Sequence, residues 1–132
     1  MTLQKQPSVT SCGPTSVAMV VDVPATEVLA RLPSVRTRRR QDDKANMGEL
    51  RRLLNAYGWT LGPRQRGQMP RGARLLGRYE HQGRTGWHWF AVDNRVVFDP
   101  CSQGPVKVRT RWSYADPRLS WYRVTPAMRT AQ

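Results

Sequence analysis

The stretch from residue 85 to residue 100 constrains the fold most, because it contains two short runs of strand-forming residues around a tight polar turn. With Asp93 and Asn94 as the two loop residues, the hairpin register pairs His88 with Asp99. Directly opposed residues share a face of a sheet, so the Asp99 carboxylate is expected beside the His88 imidazole. The turn is not Asn-Gly, and a slip of the pairing by one residue would move Asp99 to the opposite face.

Segments with helical signals come before most of the strand segments along the chain. The predicted helices run from about Cys12 to Val21, from Pro24 through Leu32, and from Asn46 or Met47 to a stop at Gly58. The predicted strands are Trp59 to Leu61, Arg74 to Glu80, the two hairpin strands and Trp121 to Val124, with loops at 33–46 and 62–72. This order predicts an α+β architecture and a single domain over residues 1–132. The helical layer is expected to pack on one face of an antiparallel sheet, with a cleft between the two.

A cysteine stands at the predicted start of the first helix. The free N–H groups and the partial positive charge of a helix N-terminus lower the pKa of a thiol, which favours the thiolate that attacks carbonyls. Ser11 is expected to cap this terminus, and Pro14 is tolerated only in a first helical turn. The pattern favours Cys12 as a nucleophile, and the alternative is a small buried hydrophobe in a good helix start.

A cysteine nucleophile needs a base, and it needs donors for the oxyanion that its attack creates. The chain has two histidines, His81 and His88, and the hairpin gives the second of them an orienting carboxylate. Gln6 is the predicted side-chain oxyanion donor, together with the Cys12 N–H, and Gln4 is the fallback. The alternatives are a half-buried strand histidine and a strand-ending Asp-Pro without a catalytic role.

Three motifs together resemble one enzyme family. They are Gln-x5-Cys-Gly-Pro-Thr-Ser-x-Ala-Met starting at Gln6, His-Trp-Phe-Ala-Val starting at His88, and the Val-Phe-Asp-Pro that contains Asp99. They resemble the papain-like cysteine peptidases, most closely the bacteriocin double-glycine leader peptidases and their stand-alone bacterial and phage relatives. The resemblance covers roughly Gln6 to Asp99 and implies a papain-like fold. It also implies that Gln6 is the oxyanion glutamine, Cys12 the nucleophile, His88 the general base and Asp99 the orienting acid.

Residues around these motifs are predicted to contact a substrate. Gly13 follows the nucleophile, and Trp87 and Trp89 flank His88 as core or cleft-wall side chains. Arginines of the first basic loop are expected to rim the cleft, and they would favour a polypeptide with acidic residues near the scissile bond. These arginines are Arg38, Arg39 and Arg40.

The chain is strongly basic, with 22 Lys and Arg against 9 Asp and Glu and a formal charge of +13. Its arginines cluster at 36–40 and 64–78, and both clusters are predicted to be solvated loops because they lack apolar periodicity. Such a field favours nucleic acid, acidic protein or anionic lipid, and the alternative is a basic surface without a partner. No zinc spacing, phosphate loop or helix-turn-helix signature occurs, so no metal or cofactor is predicted and nucleic acid is the less favoured partner.

Cysteine usage and hydropathy predict a cytoplasmic protein, since the chain has two cysteines and no apolar leader after Met1. The run from Val17 to Val23 is far too short to span a bilayer, so no membrane partner is expected. Cys101 follows Asp99 by two residues and is expected on the same side as the catalytic residues. Two free thiols are favoured, and the alternative is a disulfide with Cys12 that would silence the nucleophile.

These patterns predict a cysteine peptidase or a related thiol acyl-transfer enzyme, which cleaves a peptide, isopeptide or side-chain amide through a thioester on Cys12. Proteolysis, deamidation and transamidation share this machinery. The alternative is a non-enzymatic papain-like scaffold, for example one encoded by a phage, whose basic surface binds and inhibits an acidic host protein or a nucleic acid. The patterns do not predict an oligomeric state.

Overall fold

Helices come first along the chain and strands follow, which confirms the α+β prediction. The computed structural model of the protein describes residues 1–36, 44–80, 87–101 and 104–127. Its helices are α1 (Cys12–Val21), α2 (Ala25–Val35), α3 (Met47–Ala56) and the short α4 (Val108–Arg111). Its strands are β1 (Trp59–Gln65), β2 (Arg74–Glu80), β3 (Trp87–Asp93), β4 (Val96–Phe98), β5 (Val106–Lys107) and β6 (Leu119–Pro126). Within these ranges the strands form an antiparallel six-stranded sheet in the order β1-β6-β2-β3-β4-β5.

The two faces of the sheet pack against different parts of the chain. Trp89 and Ala91 of β3 belong to the core that contains the buried residues of α1, α2 and α3. Phe90 and Val92 belong to a second core, which includes Val108 of α4. Successive residues of a strand point to opposite faces, so β3 is buried on both sides over this stretch.

Helix α1 has the bounds that the sequence predicts, Cys12–Val21. Its residues 13–20 are all buried, which is typical of a helix whose apolar character extends around the whole circumference. The predicted capping role of Ser11 is wrong. Its hydroxyl donates to the Ser8 carbonyl (2.9 Å) and accepts from the Ser8 N–H (3.1 Å), and it makes no cap bond to the helix. The first N–H groups of α1 are therefore not covered by this serine.

The other two long helices are capped by polar side chains. At the start of α2, the Gln4 amide accepts from the Ala25 N–H (2.7 Å) and donates to the Val23 carbonyl (2.6 Å). At the start of α3, Asn46 and Glu49 form a capping box with bonds of 2.8 and 2.9 Å. In the described part of the chain, none of the helices has the length and apolar character that crossing a membrane requires.

The β3–β4 hairpin turns one position later than predicted. Asp93 pairs with Val96, and the loop residues Asn94 and Arg95 have φ of 48° and 63°, which suits a turn with two left-handed central residues. Asp93 stays in the sheet because β2 also pairs with it, through Arg74. When a two-residue loop moves by one position, the cross-strand partner of every residue moves by two positions. Each residue therefore keeps its predicted face of the sheet.

Both predicted loops contain some regular structure, and α2 extends into the one at 33–46 as far as Val35. β1 continues to Gln65 because it pairs with β6 beyond an irregularity between Leu61 and Arg64, so the prediction of a loop at 62–72 is wrong in its first part. The two-residue β5 and the four-residue α4 were not predicted. Both are too short to show a periodic pattern in the sequence.

Several arginines of the second basic cluster lie in strands, so the prediction that this cluster is a solvated loop is wrong for them. Arg74 and Arg78 belong to β2, and Arg64 belongs to β1. Arg74 donates to the Val20 carbonyl at 2.6 Å. The Arg78 residue is only 8% exposed, with its guanidinium over the Trp87 ring at 4.5 Å. Contacts with aromatic rings explain how the charges of Arg74 and Arg78 are accommodated in the sheet, and Arg64 is paired with Glu80 at 3.1 Å.

Candidate active site

Cys12 lies at the first position of α1, where this helix meets α3 and β3. The contact is close, because a Cβ added to Gly13 would lie 3.1 Å from Leu50 and 3.4 Å from Trp89. Gly13 therefore lets the helix start pack directly against the sheet. Its predicted contact with a substrate stays a prediction.

The environment of the Cys12 sulfur favours a thiolate. The thiol lies within hydrogen-bond reach of His88, and the main-chain N–H groups of Trp89 and Gly13 also interact with it. Burial by itself raises the pKa of a thiol. Here the hydrogen bond to His88, the Trp89 N–H and the charge of His88 outweigh burial, and the pKa of Cys12 is lowered.

His88 connects the thiol to a carboxylate. Its Nε2 lies 2.7 Å from Asp99 Oδ1, so the contact predicted from the hairpin is present. Burial by itself would lower the pKa of His88, but its hydrogen bonds to Asp99 and Cys12 and their charges raise it to about 9. Because Asp99 occupies Nε2, Nδ1 is the ring nitrogen left for the sulfur. The other histidine of the sequence, His81, lies outside the described residues.

Asp99 is 0% exposed and makes contacts through both of its oxygens. Oδ1 also accepts from the Cys101 N–H at 2.8 Å, and Oδ2 lies 2.7 Å from Arg111 Nη1. Burial raises the pKa of a carboxyl, but hydrogen bonds from His88 and Cys101 and the charges of His88 and Arg111 lower the pKa of Asp99. The carboxylate therefore stays ionised beside the imidazole.

Sequence reasoning missed Arg111, the last residue of α4. The segment from Lys107 to Arg111 has a single apolar residue, Val108, so no periodicity marks it as a helix. Val108 is completely buried, and its N–H donates to the Arg95 carbonyl at 2.9 Å. These tertiary contacts hold α4 beside Asp99, and no local signal could have predicted them.

Gln6 is held beside the segment that follows Asp99. Its N–H donates to the Pro100 carbonyl (3.1 Å), and its Oε1 accepts from Cys101 Sγ (2.9 Å). Its Nε2 donates to the Ser8 carbonyl at 2.7 Å. An amide nitrogen carries two hydrogens, so Nε2 keeps a second donor. The oxyanion role of Gln6 stays a prediction.

Gln4, the fallback donor, lies at the other end of α1 from Cys12, since its N–H donates to Met19 Sδ at 3.2 Å. Its amide oxygen and its amide nitrogen both bond to the start of α2, through Ala25 and Val23 as described above. The N-cap residue of α2 is Pro24, whose side chain makes no capping hydrogen bond. Gln4 is therefore a structural residue of the N-terminal segment.

The two tryptophans around His88 have different environments. Trp89 is 2% exposed and packs against Tyr122 with ring centroids 5.8 Å apart, so its ring belongs to the core, and its N–H interacts with the sulfur. Trp87 is 43% exposed and is available at the surface next to His88. The predicted rim residues Arg38, Arg39 and Arg40 lie outside the described residues.

Cys101 lies next to the same groups, and both cysteines are free thiols. One ligand atom each of His88, Asp99 and Cys101 lies within 4.8 Å of the others. However, the 2.7 Å contact between His88 and Asp99 is a hydrogen bond, and ligands of one tetrahedral zinc lie more than about 3 Å apart. Burial and the charges of Asp99 and Cys12 raise the pKa of Cys101, so this thiol is less reactive than Cys12.

The fold and the site together define an α+β protein in which a thiol, an imidazole and a buried carboxylate are connected by hydrogen bonds. A comparison with protein-family models gives no match, and a comparison with curated proteins gives none either.

Proposed function

We propose that the protein is a cysteine peptidase, or a closely related thiol acyl-transfer enzyme, with a papain-like arrangement of helices and sheet. The observation that carries the proposal is the chain of contacts from the Cys12 thiol through His88 to the buried Asp99. Activated nucleophiles in enzymes have this organisation of nucleophile, base and orienting group. The raised pKa of His88 and the lowered pKa of Cys12 favour a thiolate–imidazolium pair, which is the reactive form.

In the proposed reaction, the Cys12 thiolate attacks a carbonyl carbon and the C=O electrons move to oxygen. The Cys12 N–H and the free hydrogen of Gln6 Nε2 stabilise this oxyanion. When the oxyanion collapses, the C–N bond breaks, His88 gives its proton to the leaving amine and a thioester remains. Neutral His88 then takes a proton from water, the hydroxide attacks the thioester, and the acid product leaves with Cys12 again a thiolate.

The proposed substrate is a polypeptide, and proteolysis, deamidation and transamidation remain alternatives within this chemistry. Trp87 is the exposed aromatic side chain next to His88, and it is suited to contact an apolar substrate side chain. We place the protein in a reducing compartment such as the cytoplasm, because an activated thiol has to stay reduced to act.

Selective labelling tests this proposal. Treatment with limiting iodoacetamide near neutral pH should modify Cys12 before Cys101, as read by peptide mass spectrometry, because the pKa of one thiol is lowered and that of the other is raised. In His88→Ala, labelling of Cys12 should slow by about ten-fold or more while Cys101 keeps its rate. Equal labelling of the two cysteines, insensitive to His88, would contradict an activated thiol.

A second candidate function, binding of nucleic acid, is favoured by one surface feature. A cavity of about 460 Å³ is lined by Trp59, Arg71, Arg74 and Arg123 among others. Arg71 and Arg123 are exposed, and exposed arginines beside an aromatic ring can contact phosphates and stack on a base. A gel shift with single-stranded DNA and RNA tests this function, and binding that weakens with salt and is unchanged in Cys12→Ser would support it. No shift at low salt would exclude it.

A further inference from the structure

The carboxylate of Asp99 divides its contacts between its two oxygens. Oδ1 faces the imidazole of His88 and the N–H of Cys101, at 2.7 and 2.8 Å. Oδ2 faces the guanidinium of Arg111, at 2.7 Å. A carboxylate held on both oxygens cannot rotate about its C–C bond without losing one of these contacts. The contact with Arg111 therefore limits how Oδ1 is presented to His88.

Arg111 is itself held by the core. Its guanidinium lies over the ring of Trp112 with a distance of 4.8 Å to the centroid. That ring stacks on Phe90 of β3 with centroids 4.6 Å apart. Phe90 is two residues from His88 on the same strand and points to the same side of the sheet. A packed connection therefore leads from the strand of the histidine to the arginine that contacts its carboxylate partner.

We propose that Arg111 is a positioning residue of the catalytic site, which holds the Asp99 carboxylate in the orientation that His88 requires. The proposal rests on the proposed function, because Arg111 is assigned an effect on the reactive thiol. Arg111 does not contact the sulfur in this assignment and acts through Asp99. Its side chain is 34% exposed, so solvent weakens its charge effect without removing it.

The charged and titratable groups around Asp99 come from several elements. They are His88 of β3, Arg111 of α4, Cys101 of the following segment and Cys12 of α1. On the other side of His88, Tyr79 of β2 pairs with it, and the Tyr79 hydroxyl is bonded to Asp116, which is paired with Arg118. Arg111 thus adds a positive charge on the Asp99 side of the site.

Removal of that charge has a defined sign for each group. Without the nearby cation, the thiolate of Cys12 and the carboxylate of Asp99 are less stabilised, so their pKa values rise. The imidazolium of His88 loses the oriented carboxylate that stabilises it, so the pKa of His88 falls. A merely structural role of Arg111 would lower stability without bringing the pKa values of Cys12 and His88 closer together.

The test is the pH dependence of Cys12 alkylation by iodoacetamide, followed by mass spectrometry in the wild type and in variants. The rate of Cys12 alkylation changes in two steps with pH. The acid step occurs where Cys12 ionises, and the alkaline step occurs where His88 loses its proton. In Arg111→Gln we expect the acid step to move upward and the alkaline step to move downward, each by about half a pH unit. The matched control is Arg109→Gln, which removes the same charge from an exposed residue of the same helix and should leave both steps in place.

A double variant tests whether Arg111 acts through Asp99. In an Asp99→Asn background, the change Arg111→Gln should move the two steps by less than half of its effect in the wild type. The same shift in both backgrounds would overturn the proposal, as would identical profiles for Arg111→Gln and Arg109→Gln. If Arg111→Gln fails to fold, Arg111→Lys decides the question. It keeps the charge and loses the planar fork that orients Asp99, so we expect both steps to move in the same directions as in Arg111→Gln, by about a quarter of a pH unit, and a wild-type profile would overturn the proposal.

Failure of the proposed function would have a different signature. In that case wild-type Cys12 itself would show one step at the ordinary thiol pKa of about 8.5. An activated profile in the wild type that is insensitive to Arg111 would overturn the positioning role alone.

Discussion

His88 Nε2 and Asp99 Oδ1 are 2.7 Å apart although no strand pairing joins the two residues, because Asp99 lies one residue beyond the end of β4. The contact therefore does not depend on the ladder of main-chain bonds. It depends on the groups that contact Asp99, which include the main-chain N–H of Cys101 and the guanidinium of Arg111. The hairpin brings the carboxylate near the imidazole, and these contacts complete the approach.

The paired ionisation of Cys12 and His88 predicts an unusual pH dependence of stability. His88 has its pKa raised from 6.5 to about 9, so its contribution to stability is present below pH 6.5 and is lost as the pH rises toward 9. Cys12 has its pKa lowered from 9.0, so its contribution is present above that pH and is lost as the pH falls. The imidazole takes up a proton on folding and the thiol releases one. Their contributions to the pH dependence of stability therefore have opposite signs between pH 6.5 and 9.

We therefore expect the free energy of unfolding in urea to depend less on pH between 6.5 and 8.5 in the wild type than in Cys12→Ser. In Cys12→Ser the compensation is absent, while Asp99 still raises the pKa of His88. Stability of this variant should fall as the pH rises through that window, by at most about 1.4 kcal/mol per unit of pKa shift. The double variant with His88→Gln is the control and should be flat, and a flat curve for Cys12→Ser would contradict the ion pair.

The two glutamines of the N-terminal segment are predicted to have separable roles. Gln6→Ala should slow acylation of Cys12 by an activated ester by about a hundred-fold, because this reaction passes through an oxyanion. Its alkylation by iodoacetamide, which forms no oxyanion, should keep the wild-type rate. Gln4→Ala should leave both reactions unchanged and lower the free energy of unfolding by about 1 kcal/mol, because α2 loses its cap. Equal loss of both reactions in Gln6→Ala would argue against an oxyanion role.

Cys101 is predicted to support Gln6 through its S–H, which donates to Gln6 Oε1 at 2.9 Å. Cys101→Ala should therefore slow ester acylation of Cys12 by about three-fold, because the amide loses a contact that orients it. Cys101→Ser keeps a hydroxyl donor and should stay close to the wild-type rate. Acylation that is equally slow in the alanine and serine variants would contradict this explanation. The measurement is the initial rate of ester adduct formation on Cys12 by mass spectrometry.

Gly77 is predicted to be required for packing of the second core. A Cβ at this position of β2 would lie 2.0 Å from the ring of Phe90, which is its partner in β3. Gly77→Ala should therefore lower the free energy of unfolding by about 3 kcal/mol, the upper end for overpacking. Gly104→Ala is the control, since its Cβ would enter open space, and it should change stability by less than about 0.5 kcal/mol. Similar stabilities of the two variants in urea unfolding would show that β2 and β3 can separate at little cost.

The parts of the molecule that depend on local signals could be predicted from the sequence. Helix α1 is an example, because its apolar run and its start at Cys12 are properties of one segment. The hairpin turn was displaced by one position because β2, a distant segment, pairs with Asp93. The face of each hairpin residue was nevertheless correct, and so the His88–Asp99 contact could be predicted.

The parts that depend on contacts between distant segments of the chain could not be predicted. Arg111 reaches Asp99 only because Val108 is buried in the second core, and a basic four-residue helix carries no pattern of its own. The same holds for the contacts of the two glutamines, although the motif spacing favoured Gln6 over Gln4. Gln4 lies at the start of α2 and Gln6 beside Pro100, and no local signal indicates either position.

The close packing of Gly13 against Leu50 and Trp89 restricts which substitutions this protein could accept during evolution. The position of the Cys12 sulfur is set by a helix start that contacts a second helix and a strand, and the same strand supplies an N–H to the sulfur. Insertions in surface loops would leave these three elements in place. Substitutions of Leu50 or of the Trp89 ring, both deep in the core, would displace the sulfur relative to the imidazole. Core residues of this chain should therefore vary under the same restraint as the reactive residues themselves.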